Sequence, residues 1–192
     1  MRSIFSQMRM LLAVVAYGLM STAPGFAADR DLDVRVDVVG EEIRSHVSLF
    51  VRAPLQRVWD VITDFERAPA YTRDLHVSKV LSRSGDTLRL LQKAQVRFGP
   101  FTFPIEMLRD IRLVAPLRTE AQLVSGTMKK YDSTTELVAE AGGTRVIVRS
   151  QAIPGSVLAM LAGESFVKRE TEEKFRELRA EILRREHIAA RQ

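Results

Sequence analysis

Between His76 and Pro154 apolar and polar residues alternate with a period of two, interrupted at short intervals by turn-forming residues: Ser84-Gly85-Asp86, Gly99-Pro100, Ala115-Pro116, Lys129-Lys130 and Gly142-Gly143. Six strands are predicted between these marks, over about 76–83, 87–98, 101–114, 118–128, 131–139 and 144–153. Connections this short join antiparallel neighbours, because a parallel pair needs a crossover of a dozen residues or more. The middle of the chain is therefore committed to one antiparallel sheet.

The flanks supply the elements that cover it. Ile43, Ser45, Val47, Leu49 and Val51 alternate with Arg44, His46, Ser48 and Phe50, which predicts a further strand over 43–51. Residues 28–35 are polar and are expected to be loose. In VRAPLQRVWDVITDFERAPAYTRDL (51–75), Leu55, Val58, Trp59, Ile62 and Phe65 recur at helical spacing behind Pro54, which suits a first helical turn. Ala68-Pro69 stops that helix, since proline lacks the N–H and disfavours helical geometry in the residue before it. A second short helix is predicted over Ala70–Leu75, with Tyr71 and Leu75 on one side. From Ser156 to about His187, Val157, Met160, Val167, Thr171, Phe175, Leu178 and Ile182 trace one long helical stripe. The economical packing is an α+β domain: a seven-stranded antiparallel sheet gripped by the terminal helix, with two short helices between its first and second strands.

A chain of 192 residues, 46% hydrophobic, has room for one such core and little more. The first 27 residues read as an export signal instead of as structure: Arg2 and Arg9, then the apolar run Met10–Met20, then small residues before a cut at Ala28. The run is short for a membrane span. The domain is thus expected to cover 28–192 and to work in the periplasm. Cysteine is absent, which excludes disulfides, a thiol nucleophile and thiolate metal sites.

Assigning sheet faces by alternation separates two kinds of lining. One pair of strands offers bulky groups: Leu88, Leu90, Ala94, Val96 and Phe98, then Ile105, Met107, Ile111 and Leu113. The next three place Ala121, Leu123, Ser125 and Thr127, then Tyr131, Ser133, Thr135 and Leu137, then Val146, Val148, Ser150 and Ala152 on the same face. Interiors are close-packed, so small and hydroxylic residues under a long helix leave room for a ligand. The alternative is a filled core with cross-strand hydroxyl pairs, and one bulge would invert a strand's faces.

Three stretches carry a resemblance to a known family: Ala53-Pro54 with Val58-Trp59 and Asp64-Phe65-Glu66; Phe98-Gly99-Pro100-Phe101 with Phe103-Pro104; and Gly142-Gly143-Thr144-Arg145. With the element order, they resemble the START-like (SRPBCC) superfamily, in its polyketide cyclase/dehydrase branch, related to coenzyme-Q-binding START-type proteins. The likeness runs from about Val36 to Arg185. It implies the helix-grip fold and a deep apolar tunnel between sheet and terminal helix. Members carry lipids, isoprenoid quinones, sterols or polyketides, and a few are enzymes.

The predicted cavity residues follow from these faces. Trp59, Phe65, Tyr71 and Leu75 come from the jointed helices; Met107, Arg109, Leu123, Ser125, Thr127, Tyr131, Ser133, Thr135, Val148 and Ser150 from the sheet; Met160, Glu164 and Val167 from the last helix. Two of them carry charge: Arg109 interrupts an apolar set, and Glu164 lies beside Gly163 on the inner stripe. They could pair with each other, hold a head group, or act in a cyclase.

Catalytic residues cannot be assembled. His46, His76 and His187 are dispersed, and no phosphate loop, HExxH, GxSxG or metal-ligand spacing occurs, so no cofactor or metal is expected. The chain carries 29 Lys+Arg against 24 Asp+Glu, and Arg89, Lys93, Arg97, Arg145 and Arg149 are predicted to point outward. Such a face suits transient contact with anionic lipid. Nucleic acid is a poor partner, since no aromatics interleave with those charges. The expected function is carriage of a lipid or isoprenoid-like molecule, with a cyclase or dehydratase acting in the same cavity as the runner-up.

Overall fold

In a computed structural model, residues 31–155 and 163–191 are described. The elements are β1 (Leu32–Val39), β2 (Glu42–Val51), α1 (Leu55–Ile62), a 3-10 helix (Phe65–Ala70), β3 (Leu75–Ser84), β4 (Thr87–Phe98), β5 (Phe101–Val114), β6 (Arg118–Gly126), β7 (Met128–Glu140), β8 (Gly143–Pro154) and α2 (Gly163–Ala189). The strands form one sheet in the order β1-β2-β8-β7-β6-β5-β4-β3, every neighbouring pair antiparallel. α2 packs on β1 and β2 and against α1. This is the helix-grip arrangement.

Three expectations are corrected. The described residues form eight strands, not seven, because Leu32–Val39 is β1 and not a loose start. Leu32, Val34, Val36 and Val38 alternate as cleanly as β2 does, and Leu32 pairs with Leu49, Val34 with Val47 and Val36 with Ser45. The two short helices therefore join β2 to β3. α1 ends earlier than predicted, at Ile62: the Thr63 N–H and hydroxyl both donate to the Trp59 carbonyl, the latter at 2.8 Å, and close the last turn. The second helix is a 3-10 turn over Phe65–Ala70 that contains Pro69, where Ala70–Leu75 was expected. Tyr71 follows it and Leu75 opens β3.

Buried apolar side chains gather in three clusters. Beneath α1, Leu49, Val51, Val58, Trp59, Leu137 and Val146 meet Ile182, which is fully buried. Val34, Val36 and Val47 form a second cluster, against which Val167 and Phe175 of α2 pack. Toward the β4 end of the same face, Leu88, Leu90, Ile111 and Ala121 form the third, closed by Phe65 and Val80. Half-buried Leu113 touches both the first and the third.

Candidate ligand-binding site

Between the clusters, the inner face of β5 to β8 carries residues of the predicted lining. Ser133 of β7 lies opposite Ser150 of β8 and Ala121 of β6; Thr135 lies opposite Val148 and Thr119. Ser150 in turn faces Ser45 of β2. Leu123 pairs with Arg109, and Met107 lies opposite Gln92. Met107, Arg109, Leu123, Tyr131, Ser133, Thr135 and Ser150 are all half-buried, although they lie on interior strands of the sheet. Ser and Thr stop short of the space that Leu or Phe would fill, which leaves a strip of modest side chains.

Two residues expected in this strip are not there. A register shift between Leu108 and Arg109 inserts one extra residue of β6, so Ser125 stands opposite Leu108, on the outer face. Ser125 and Thr127 are exposed, and the Glu106 N–H donates to Thr127 Oγ1 at 3.1 Å. Gly126 completes the irregularity with a φ of 148°; a Cβ there would stand 2.1 Å from the Glu106 carbonyl oxygen, so the two backbones meet only at a glycine.

The remaining candidates divide. Trp59 is only 8% exposed and belongs to the cluster under α1. Tyr71 packs against that cluster, and its hydroxyl donates to the Val61 carbonyl at 3.4 Å. Burial pushes its phenol up to about 12. Phe65 and Val167 cap the third and second clusters, Val148 packs against the first two, and Leu75 is half-buried opposite Ala94 at the start of β3. Glu164 is exposed in the first turn of α2, so it is not on the inner stripe. Met160 lies outside the described residues.

Arg109 is the chemical centre of the strip. Its Nη2 donates to Gln92 Oε1, and Gln92 Nε2 donates to Ser78 Oγ at 2.9 Å. Its guanidinium carbon stands 5.3 Å from the centroid of the Tyr131 ring, a cation–π contact. Burial alone would push the Tyr131 phenol up. The Arg109 guanidinium, the Lys174 ammonium and hydrogen bonds with Ser133 and Arg109 outweigh it and hold the phenol below its ordinary value. Arg109 Nε is buried without a hydrogen-bond partner. The other such side-chain nitrogens among the described residues, His46 Nδ1 and Arg118 Nε, belong to residues whose neighbours in the strands point inward, so they lie on the outer face.

Gln92, Ser78 and Lys174 were not anticipated. Gln92 carried a signal: it interrupts the apolar face of Leu88, Leu90 and Ala94 as Arg109 interrupts that of β5.

The basic outer face is largely neutralised. Arg89 bonds Asp110 at 2.8 Å through two nitrogens, Lys93 meets Glu106 at 2.8 Å, Arg145 grips Glu140 at 2.6 and 2.8 Å, and Arg149 meets Glu136 at 2.9 Å.

Residues 51–177 match the family model described as polyketide cyclase / dehydrase and lipid transport. The chain belongs to that family. Solved structures show the same fold. A STAR-related lipid transfer protein fragment from Xanthomonas axonopodis matches with a TM-score of 0.68 at 15% identity, over 80% of this chain and 94% of that one. The Zhui aromatase/cyclase from Streptomyces sp. R1128 matches with a TM-score of 0.62 at 11% identity, over 75% and 95%. A START superfamily protein from Mycobacterium smegmatis matches with a TM-score of 0.55 at 14% identity, over 73% and 93%. No curated protein matches the sequence.

Proposed function

We propose that this protein binds and carries a lipid or isoprenoid-like molecule in the space above the central strip, working after export in the periplasm. The observation that carries the reading is the half-buried, hydroxyl-rich strip on β5 to β8, left uncovered by the three apolar clusters that flank it. Burying an acyl or prenyl chain recovers about 0.8 kcal/mol per CH₂, so micromolar affinity requires no catalytic group. The family description, and the lipid transfer activity in the name of the Xanthomonas relative, support the same class of ligand. Loading and release call for transient contact with a membrane. The ion pairs of Arg89, Lys93, Arg145 and Arg149 make attraction to anionic lipid weak and salt-sensitive.

Native mass spectrometry of protein isolated from the envelope is expected to show a copurifying apolar molecule. Consistently empty protein whose Tm is unmoved by lipid or quinone extracts would remove this reading. Export is tested separately, by fractionation and by an N-terminus at Ala28.

A second reading rests on Tyr131. A phenol held below its ordinary value beside a guanidinium is suited to proton transfer in a cyclase or dehydratase. In that case Tyr131→Phe abolishes turnover of a poly-carbonyl substrate and leaves its binding intact.

A further inference from the structure

Arg109 holds a positive charge on the inner face of the sheet without a carboxylate of the described residues paired to it. Glu164 is exposed, and residues 156–162 (SVLAMLA) contain no acidic side chain. Its neighbours in register, Leu90 and Leu123, are apolar. Its fixed partners, Gln92 and the Tyr131 ring, are neutral. A guanidinium carries five N–H donors in a rigid fork matched to two oxygens of one anion. Gln92 takes one Nη2 hydrogen, which leaves the buried Nε–H without an acceptor. Lys174 of α2 adds further positive potential around Tyr131.

We infer that the molecule held over the strip is an anionic amphiphile, a long apolar chain ending in a carboxylate, whose head group pairs with the half-buried Arg109 guanidinium, with Tyr131 and Ser133 beside it. The inference rests on the binding reading above and specifies it. Gln92, tethered by Ser78, holds one Nη2 hydrogen and so fixes the orientation of the guanidinium. The apolar chain lies along Leu123, Met107 and Val148, where half-buried carbon remains to be covered.

The test compares oleate, oleyl alcohol and methyl oleate, each below its critical micelle concentration, by displacement of a fluorescent fatty probe from the wild-type protein and from Arg109→Gln. Oleate is expected to bind about tenfold or more tighter than the alcohol or the ester, the usual worth of a charge-assisted hydrogen bond. Arg109→Gln should erase that preference, so that oleate binds no tighter than the alcohol. Equal binding of all three to the wild type overturns the anionic head group and leaves carriage of apolar molecules standing. Failure of all three to displace or bind overturns both. Because the wild-type comparison decides the matter alone, a poorly folded Arg109→Gln does not obscure the result; Arg109→Lys, which keeps charge but loses the fork, should fall between the two.

Discussion

Arg185 Nη1 stands 2.8 Å from Asp64 Oδ2 while its Nε holds Glu181 Oε1 at 2.7 Å, so one guanidinium ties the end of α2 to the segment that follows α1. Arg57 meets Glu186 at 3.1 Å, and Arg73 pairs with Glu173 and Glu177, which repeats the tie on either side. The Arg185 and Glu181 side chains are only 17% and 8% exposed. Arg185→Gln is expected to cost about 2 kcal/mol in urea unfolding, because it leaves two acidic groups short of a partner. A cost below about 0.5 kcal/mol would class the contact with solvated surface pairs.

Glu181 predicts a pH dependence. Its hydrogen bonds from Arg184, opposed by burial and reinforced by Arg185, draw the carboxyl from 4.5 down to about 2. A folded value below the unfolded one adds stability that is complete above about pH 5 and disappears as pH falls toward 2. Screened by solvent on the Arg184 side, the stability lost in Glu181→Gln should be about 1–2 kcal/mol at neutral pH and fade as pH falls through 2. A loss that stays constant between pH 7 and pH 3 contradicts this assignment.

Thr144, fully buried, donates its hydroxyl to the Ala53 carbonyl at 2.9 Å and so anchors the entry of α1 to β8. Thr144→Val keeps the volume and orphans the carbonyl. The expected cost is about 1–2 kcal/mol, and Thr144→Ser should recover most of it.

Gly126→Ala is expected to destabilise by more than about 2 kcal/mol, since the added Cβ meets backbone and not a movable side chain. Amide exchange should quicken first along β5 and β6. Retention of wild-type protection there would show that the two strands separate without cost.

Ser133 and Ser150 face each other at the centre of the strip. Leucine at either position should reduce uptake of a lipophilic dye by about tenfold while leaving Tm unchanged or higher, because it fills space and removes a polar group. A fall in Tm of several degrees would mean that the strip is already close-packed.

The period of two located β4 and β5 to the residue and the other sheet runs to within a few, because alternate burial leaves a strong mark on sequence. β1 carried the same mark, masked by the charges Asp33, Arg35 and Asp37 that occupy its outer face. Ser125 and Thr127 were assigned to the wrong face because a single inserted residue reverses the parity of everything after it, and no composition reveals where that happens. The 3-10 turn was misplaced for a related reason: Thr63 ends α1 through a side-chain bond to the Trp59 carbonyl, a local competition that apolar periodicity does not record. Arg109 was legible as a break in an apolar pattern, whereas the lack of a counter-charge depends on Glu164 pointing away, which only packing decides.

The aliphatic clusters lie around the strip and leave it to hydroxyls, a few half-buried apolar groups and one guanidinium. Selectivity and foldability are thus written in different residues. Exchanges among the central positions recut the mould, and the frame that surrounds it keeps its strength.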